Sequence, residues 1–330
     1  MKHGGDLADA SRLNTIPNED WLDLSTGINP HTYPFRAPSI AALGKLPQSQ
    51  ALGELLTAAR RAYGATGDAP IVAAPGTQIL IQLLPLIRPA SRVAIVGPTY
   101  SEHTTCWERT GAAVTPIEDL AASPGDSEVV VLVNPNNPTG RIAPPELVQT
   151  CAAEMAARGG LLIVDEAFAD VAPEISVAPL AGADGLLVLR SFGKFFGLAG
   201  LRLGFALGSQ AVLEQLEAIL GPWAVSGPAM EIGRDALDDV AWQQGARARC
   251  YQRSAMLDDV LAAAGGQILG GTALFRLVAH KDAASLHEQL AARGIWVRRF
   301  DDKPGWLRFG LPPDDFSFDR LAAALREISA

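Results

Sequence analysis

The sequence predicts an α/β protein, with a large domain built on a mainly parallel sheet and a smaller α+β domain. Three observations carry that expectation. Between residue 70 and about 220, short β-branched runs alternate with helical stretches, the pattern of a sheet covered on both faces. Most of those runs are near-continuously apolar, as strands buried on both sides are. After Gly221-Pro222 the pattern changes to long Ala/Leu/Glu/Arg helices followed by separated short runs.

The expected strands of the large domain are Ile71 to Ala73, Arg92 to Val96, Val129 to Val133, Leu161 to Val164, Leu186 to Leu189 and Leu203 to Ala206, each closed by glycine, proline or a polar residue. One helix is expected to start at Pro144-Pro145, where proline is tolerated in the first turn, whereas Pro85 weakens the helical pattern beside it. In the second domain Thr272 to Val278, Ile295 to Val297 and Trp306 to Phe309 read as strands, with a helix between the first two. The expected division is an amino-terminal segment, 1–40, joining the small domain; a large domain, 41–222; and a small carboxy-terminal domain, 223–330.

At 330 residues, 48% hydrophobic and 19% charged, the chain has apolar material for a large core and too little charge for disorder. The net charge of -9 opposes a nucleic-acid or anionic-membrane partner, since both need a basic face. The start turns polar at once, and no apolar stretch approaches the roughly 20 residues that span a bilayer, so a soluble, cytoplasmic protein is expected. Cys106, Cys151 and Cys250 are scattered and lack metal-ligand or disulfide-framework spacing, which makes them reduced thiols.

In a parallel sheet the ligand crevice lies beyond the carboxyl ends of the strands, so the residues just after each run are the informative ones. Gly76-Thr77-Gln78 follows the first run and opens a helix, whose free N–H groups and dipole suit a phosphate. Pro98-Thr99-Tyr100 follows the second and could lay an aromatic face over a flat ring. The loop Asn134-Pro135-Asn136-Asn137-Pro138-Thr139-Gly140 is made of turn formers in an unusual density. Asp165-Glu166-Ala167 puts carboxylates at the end of a buried run, where they need partners; a protonated ring nitrogen is one. Ser191 to Arg202 sets Lys194 and Arg202 among glycines and aromatics, and an apolar setting favours the uncharged amine of a nucleophilic lysine.

Those three segments, Asn134 to Gly140, the Asp165 segment and Ser191 to Arg202, resemble the motifs of the class I/II aminotransferase superfamily, in order and across essentially the whole chain. The resemblance implies the fold type I architecture of pyridoxal 5'-phosphate (PLP) enzymes and PLP as cofactor. It implies that Lys194 carries the cofactor as a Schiff base, that Asp165 pairs with the pyridine nitrogen, that Asn137 bonds the ring 3'-oxygen and that Tyr100 stacks on the ring. Ser191 and Arg202, with Thr77, Gln78 and the Gly76 backbone, would hold the cofactor phosphate.

Within the superfamily the opening His3-Gly4-Gly5-Asp6-Leu7, the segment Leu24-Ser25-Thr26-Gly27-Ile28-Asn29-Pro30 and Pro222-Trp223-Ala224-Val225-Ser226 look most similar to the branch that decarboxylates L-threonine O-3-phosphate in cobalamin biosynthesis. The histidinol-phosphate aminotransferase branch is the alternative. Both act on small phosphorylated amino substrates. The resemblance puts Arg308 on the substrate carboxylate with Asn29 assisting, makes Arg298 and His3 candidates for the substrate phosphate, and implies a homodimer. Two positions depart from the pattern: Phe168 stands where many relatives have a tyrosine, and Leu46-Pro47 stands where relatives carry Tyr-Pro.

Overall fold

The computed structural model describes residues 4, 5, 7, 10, 16–122 and 125–329. In chain order its elements are β1 (Leu22–Leu24), α1 (Ile40–Gly44), α2 (Ser49–Ala62), β2 (Ile71–Ala74), α3 (Thr77–Ile87), β3 (Arg92–Val96), α4 (Glu102–Arg109), β4 (Ala113–Ile117), β5 (Val129–Val133), α5 (Pro145–Ala157), β6 (Leu161–Asp165), β7 (Leu186–Ser191), α6 (Phe192–Phe195), β8 (Gly204–Gly208), α7 (Gln210–Leu220), α8 (Gly227–Asp238), α9 (Val240–Ala263), β9 (Gln267–Thr272), β10 (Phe275–Ala279), α10 (Ala283–Ala291), β11 (Ile295–Arg299), β12 (Trp306–Gly310) and α11 (Asp315–Ser329). Two compact units result. The larger is 32–137 with 141–243; the smaller takes in the described residues up to 31, 138–140 and 244 onward.

Among the described residues the larger unit carries a seven-stranded sheet in the order β2-β8-β7-β6-β5-β3-β4. All neighbours are parallel except β8, which runs against both β2 and β7. Its core packs Val93, Ile95, Val129, Val131, Ile163 and Leu189 against Leu80 and Leu84 of α3 and Trp107 of α4. Each such side chain stabilises the fold by about 1.5–3 kcal/mol when fully buried. That burial explains how α3 keeps Pro85 inside it: Leu80, Ile81, Leu84 and Pro85 are all buried, and packing outweighs the ~3 kcal/mol a helical proline costs.

The topology decides where chemistry can occur. Strands β3, β5, β6 and β7 are mutually parallel, so the loops after Val96, Val133 and Asp165 and the turn at Ser191 gather along one edge of the sheet. Because β2 and β7 are each antiparallel to β8, they are parallel to each other, and the start of α3 opens on that same edge.

Among the described residues the smaller unit holds a five-stranded sheet, β1-β11-β12-β10-β9, antiparallel but for the β1–β11 pair. The run expected over Thr272 to Val278 holds the turn Ala273-Leu274 and most of β10, while β9, which pairs with it, lies ahead of the run and meets it only at Thr272; Leu274 N donates to Thr272 Oγ1 at 3.1 Å in that turn. Strands β1 and β4 carry no strong pattern in the sequence. β4 is a half-exposed edge strand interrupted by Pro116, a residue confined to sheet edges. Among the described residues no helix is long and apolar enough to cross a membrane.

Candidate active site

The cradle at the start of α3 is built around a glycine. Gly76 has φ +88° and caps the helix, and a Cβ there would meet Arg202 Nη2 at 2.6 Å, so only glycine lets the guanidinium come down on the helix end. Arg202 has left-handed backbone, φ 54° and ψ 61°, a conformation that costs a non-glycine residue roughly 1–2 kcal/mol, and its Nη1 donates to Ala199 O at 3.2 Å. Thr77 is buried, and its Oγ1 donates to Arg190 O at 3.3 Å. From the other side Gly204, opposite Ser191 in the β7–β8 ladder, brings its backbone so close that a Cβ would stand 2.7 Å from Thr77 N. A guanidinium and a helix N-terminus thus converge in a donor set suited to a phosphate.

Gln78, the second residue of α3, is tied to Tyr100 and to Glu102 of α4. Its Oε1 accepts from Tyr100 Oη at 3.0 Å and its Nε2 donates to Glu102 Oε2 at 3.0 Å. Burial, Glu102 and Asp165 push the Tyr100 phenol up to about 12, with Arg202 opposing them. Tyr100 therefore feels both Asp165 and Arg202.

Asp165 ends β6 and is buried; its Oδ1 accepts from Ala167 N at 3.0 Å, and its Oδ2 lies 2.9 Å from His103 Nε2. His103 is the residue sequence reasoning missed. Its signal was helical spacing: on α4 it shares the buried face with Cys106 and Trp107, three and four residues on. The loop after β5 is closed on itself, Asn134 exchanging hydrogen bonds with Ala143 at 3.0 and 3.1 Å, and Asn136 Oδ1 accepting from Thr99 Oγ1 at 2.6 Å; Asn137, between them and Pro138, is half-buried.

Lys194 stands on the one-turn helix α6, which starts from Ser191. That turn rests on an aromatic bed: Phe192 stacks on Phe196 at 4.4 Å, and Phe196 stacks on Trp242 at 5.6 Å. Lys194 Nζ lies 5.9 Å from the ring centroid of buried Phe168, three residues beyond Asp165. Leu46 is 59% exposed, so no polar role follows from its side chain.

In the smaller unit Arg298 and Arg308 face each other across the β11–β12 ladder. Arg308 is buried, and its Nη2 donates to Ser25 O at 2.7 Å. Burial, reinforced by Arg298 and opposed by Asp23, pushes its guanidinium down to about 10. Nearby in the chain Ser25 Oγ donates to Asp23 Oδ1 at 2.6 Å, and Asn29, buried, accepts His31 N at 3.0 Å. His3 lies outside the described residues.

Residues 39–325 match the family described as aminotransferase class I and II. The chain belongs to this family. It is 46% identical over 325 residues to a threonine-phosphate decarboxylase of Sinorhizobium sp, covering 98% of this chain and 97% of that one. It is 44% identical over 329 residues to a threonine-phosphate decarboxylase of Pseudomonas aeruginosa, with coverage of 98% and 97%. The fold is that of histidinol-phosphate aminotransferase from Sinorhizobium meliloti, a structure in complex with pyridoxal-5'-phosphate, at a TM-score of 0.79, 22% identity, and coverage of 93% of this chain and 90% of that one.

Proposed function

We propose that this protein is a PLP-dependent decarboxylase that converts L-threonine O-3-phosphate to (R)-1-aminopropan-2-yl phosphate and CO2, a step of cobalamin biosynthesis. The observation that carries the reading is a pair of separate anion-binding donor sets. One is the Gly76, Thr77, Ser191 and Arg202 cradle, and the other is the Arg298–Arg308 pair. A phosphorylated cofactor and a substrate with both carboxylate and phosphate require two such sets. Identity of 44–46% to two threonine-phosphate decarboxylases over nearly the full chain supports the choice of substrate.

The residues present fit the cofactor. The absence of a Cβ at Gly76 lets the Arg202 guanidinium close on the helix start, where a phosphate would find both the cation and the free N–H groups, and a buried carboxylate, Asp165, suits a protonated ring nitrogen. When bound, PLP supplies the electron sink for the bond broken at Cα. Lys194 is the amine that holds it and afterwards carries a proton to Cα. Asp165, backed by His103, would keep the ring nitrogen protonated; Asn137 would bond the ring oxygen and Tyr100 would stack on the ring. Thr77, Gln78, Ser191, Arg202 and the Gly76 N–H hold the cofactor phosphate. Arg308 and Asn29 hold the substrate carboxylate, and Arg298 and His3 its phosphate.

A homodimer is part of the proposal. Phe35, Ile40, Leu43 and Leu46 are large, apolar and exposed along one short segment, and α1 buries none of its residues. Three buried thiols agree with a cytoplasmic setting.

The deciding assay supplies purified holoenzyme with L-threonine O-3-phosphate and no 2-oxo acid. Sustained CO2 release is expected. Turnover that depends on an added 2-oxo acid would instead make the chain an aminotransferase of the histidinol-phosphate kind.

A further inference from the structure

Arg190 is buried on β7, and its side chain closes a charged cluster that no step above uses. Nη1 donates to Glu166 Oε2 at 2.7 Å and to Ser176 Oγ at 3.2 Å; Nη2 donates to Asp170; Cζ lies 4.3 Å over the Tyr63 ring. Glu166 is itself fully buried and also accepts from Ser176 Oγ at 2.5 Å and Val177 N at 2.6 Å. Three buried charges are a costly way to fill a core, since apolar side chains of similar volume stabilise as well or better. What they supply is geometry, because a guanidinium fork fixes the direction of every partner it binds.

The partners are informative. Glu166 directly follows Asp165, and its N donates to Leu189 O at 2.9 Å. Arg190 directly precedes Ser191, four residues before Lys194, and its carbonyl accepts the Thr77 hydroxyl. One residue therefore ties together the end of β6, the end of β7 and the start of α3.

We propose that Arg190 is a positioning residue for the cofactor site: its fork and carbonyl hold Asp165, the Ser191–Lys194 turn and Thr77 at the separations that one rigid cofactor requires. This rests on the cofactor reading above.

Arg190→Lys keeps the charge and removes the fork. The variant is prepared as holoenzyme, its fold is checked by circular dichroism and melting, and three quantities are measured: the PLP dissociation constant, the pH midpoint of the lysine-bound cofactor's absorbance band, and kcat against KM. The expected result is PLP binding weakened at least tenfold, a shifted midpoint and a kcat lowered at least tenfold, with KM within twofold because Arg298 and Arg308 belong to the other unit. A folded Arg190→Lys with wild-type PLP affinity and an unmoved midpoint overturns the proposal. Should that variant not fold, Asp170→Ala removes one acceptor of the fork and is expected to weaken PLP binding about threefold; wild-type affinity there overturns it equally. A wild-type protein that takes up no PLP on Lys194, seen by borohydride trapping and peptide mass spectrometry, overturns the cofactor reading and this proposal with it.

Discussion

His103 Nε2 lies 2.9 Å from Asp165 Oδ2, with both side chains buried. The carboxylate takes a second hydrogen bond from Ala167 N, so its orientation is set by the protein before any cofactor arrives. A hydrogen bond to a charged group contributes about 1.5–3 kcal/mol. His103→Phe keeps the ring volume and removes that bond; kcat is expected to fall about 10- to 100-fold with substrate KM within twofold. A variant that only melted earlier, at unchanged kcat, would reduce His103 to core packing.

Lys194→Ala should purify without covalently attached cofactor. Borohydride reduction and peptide mapping are expected to add the cofactor's mass to the wild-type peptide containing Lys194 and nothing to the variant. CO2 release should drop by about a thousandfold or more, the scale on which nucleophile and proton carrier act together. Mass found on any other lysine of the wild type would contradict the assignment.

With Arg308 on the substrate carboxylate, as proposed above, its buried charge would set substrate affinity against stability. Lowering its guanidinium from 12.5 to about 10 corresponds to about 3 kcal/mol against the charged form in the fold. The sign follows: the folded state is disfavoured by that amount at every pH below about 10, and the penalty is relieved between pH 10 and 12.5. At pH 8 and without substrate, Arg308→Met is therefore expected to melt at least as high as wild type, while KM rises about 100-fold or more. Calorimetry with and without substrate checks both halves; a variant that melts lower and still binds normally contradicts them.

The Tyr100 phenol, held up to about 12, stays neutral through the working range. Because its folded value is raised, the stability it contributes is complete below pH 10 and is lost as the pH climbs through about 12. Tyr100→Phe should thus leave the alkaline limb of the kcat/KM profile where it was up to pH 11, although activity falls through loss of the Gln78 contact. A limb that moves with this substitution would mean that the phenol ionises in catalysis.

All three thiols are buried, and burial raises each, Cys151 and Cys250 to about 11. A thiolate-specific reagent such as Ellman's should find almost no reactive group in the native protein at pH 8 within minutes, and three after denaturation. Fast labelling of any one in the native state would show that its segment opens.

Much of this was legible in the chain itself because the signals are local. Val129–Val133 and Leu161–Asp165 are apolar without interruption, and strands buried on both faces can be read from that alone. Gly76, Asp165, Ser191, Lys194 and Arg202 each follow such a strand or a turn former, where a parallel sheet puts its ligands. The hairpin at Ala273-Leu274 was not legible, since Gly270 and Gly271 break the apolar pattern of β9 just ahead of the turn.

What tertiary structure alone decided are the pairings between residues far apart in sequence: His103 with Asp165 across 62 positions, Thr77 with Arg190 across 113, and Arg308 with Ser25 across 283. Periodicity and turn chemistry report what a residue does for its own helix or strand. Which buried donor meets which buried acceptor depends on strand order, and the order β2-β8-β7-β6-β5-β3-β4 is a property of the folded sheet. Hence the amino acids alone pointed to a lysine, an aspartate and a candidate anion cradle, and the fold set His103 against Asp165 and Arg190 against Thr77.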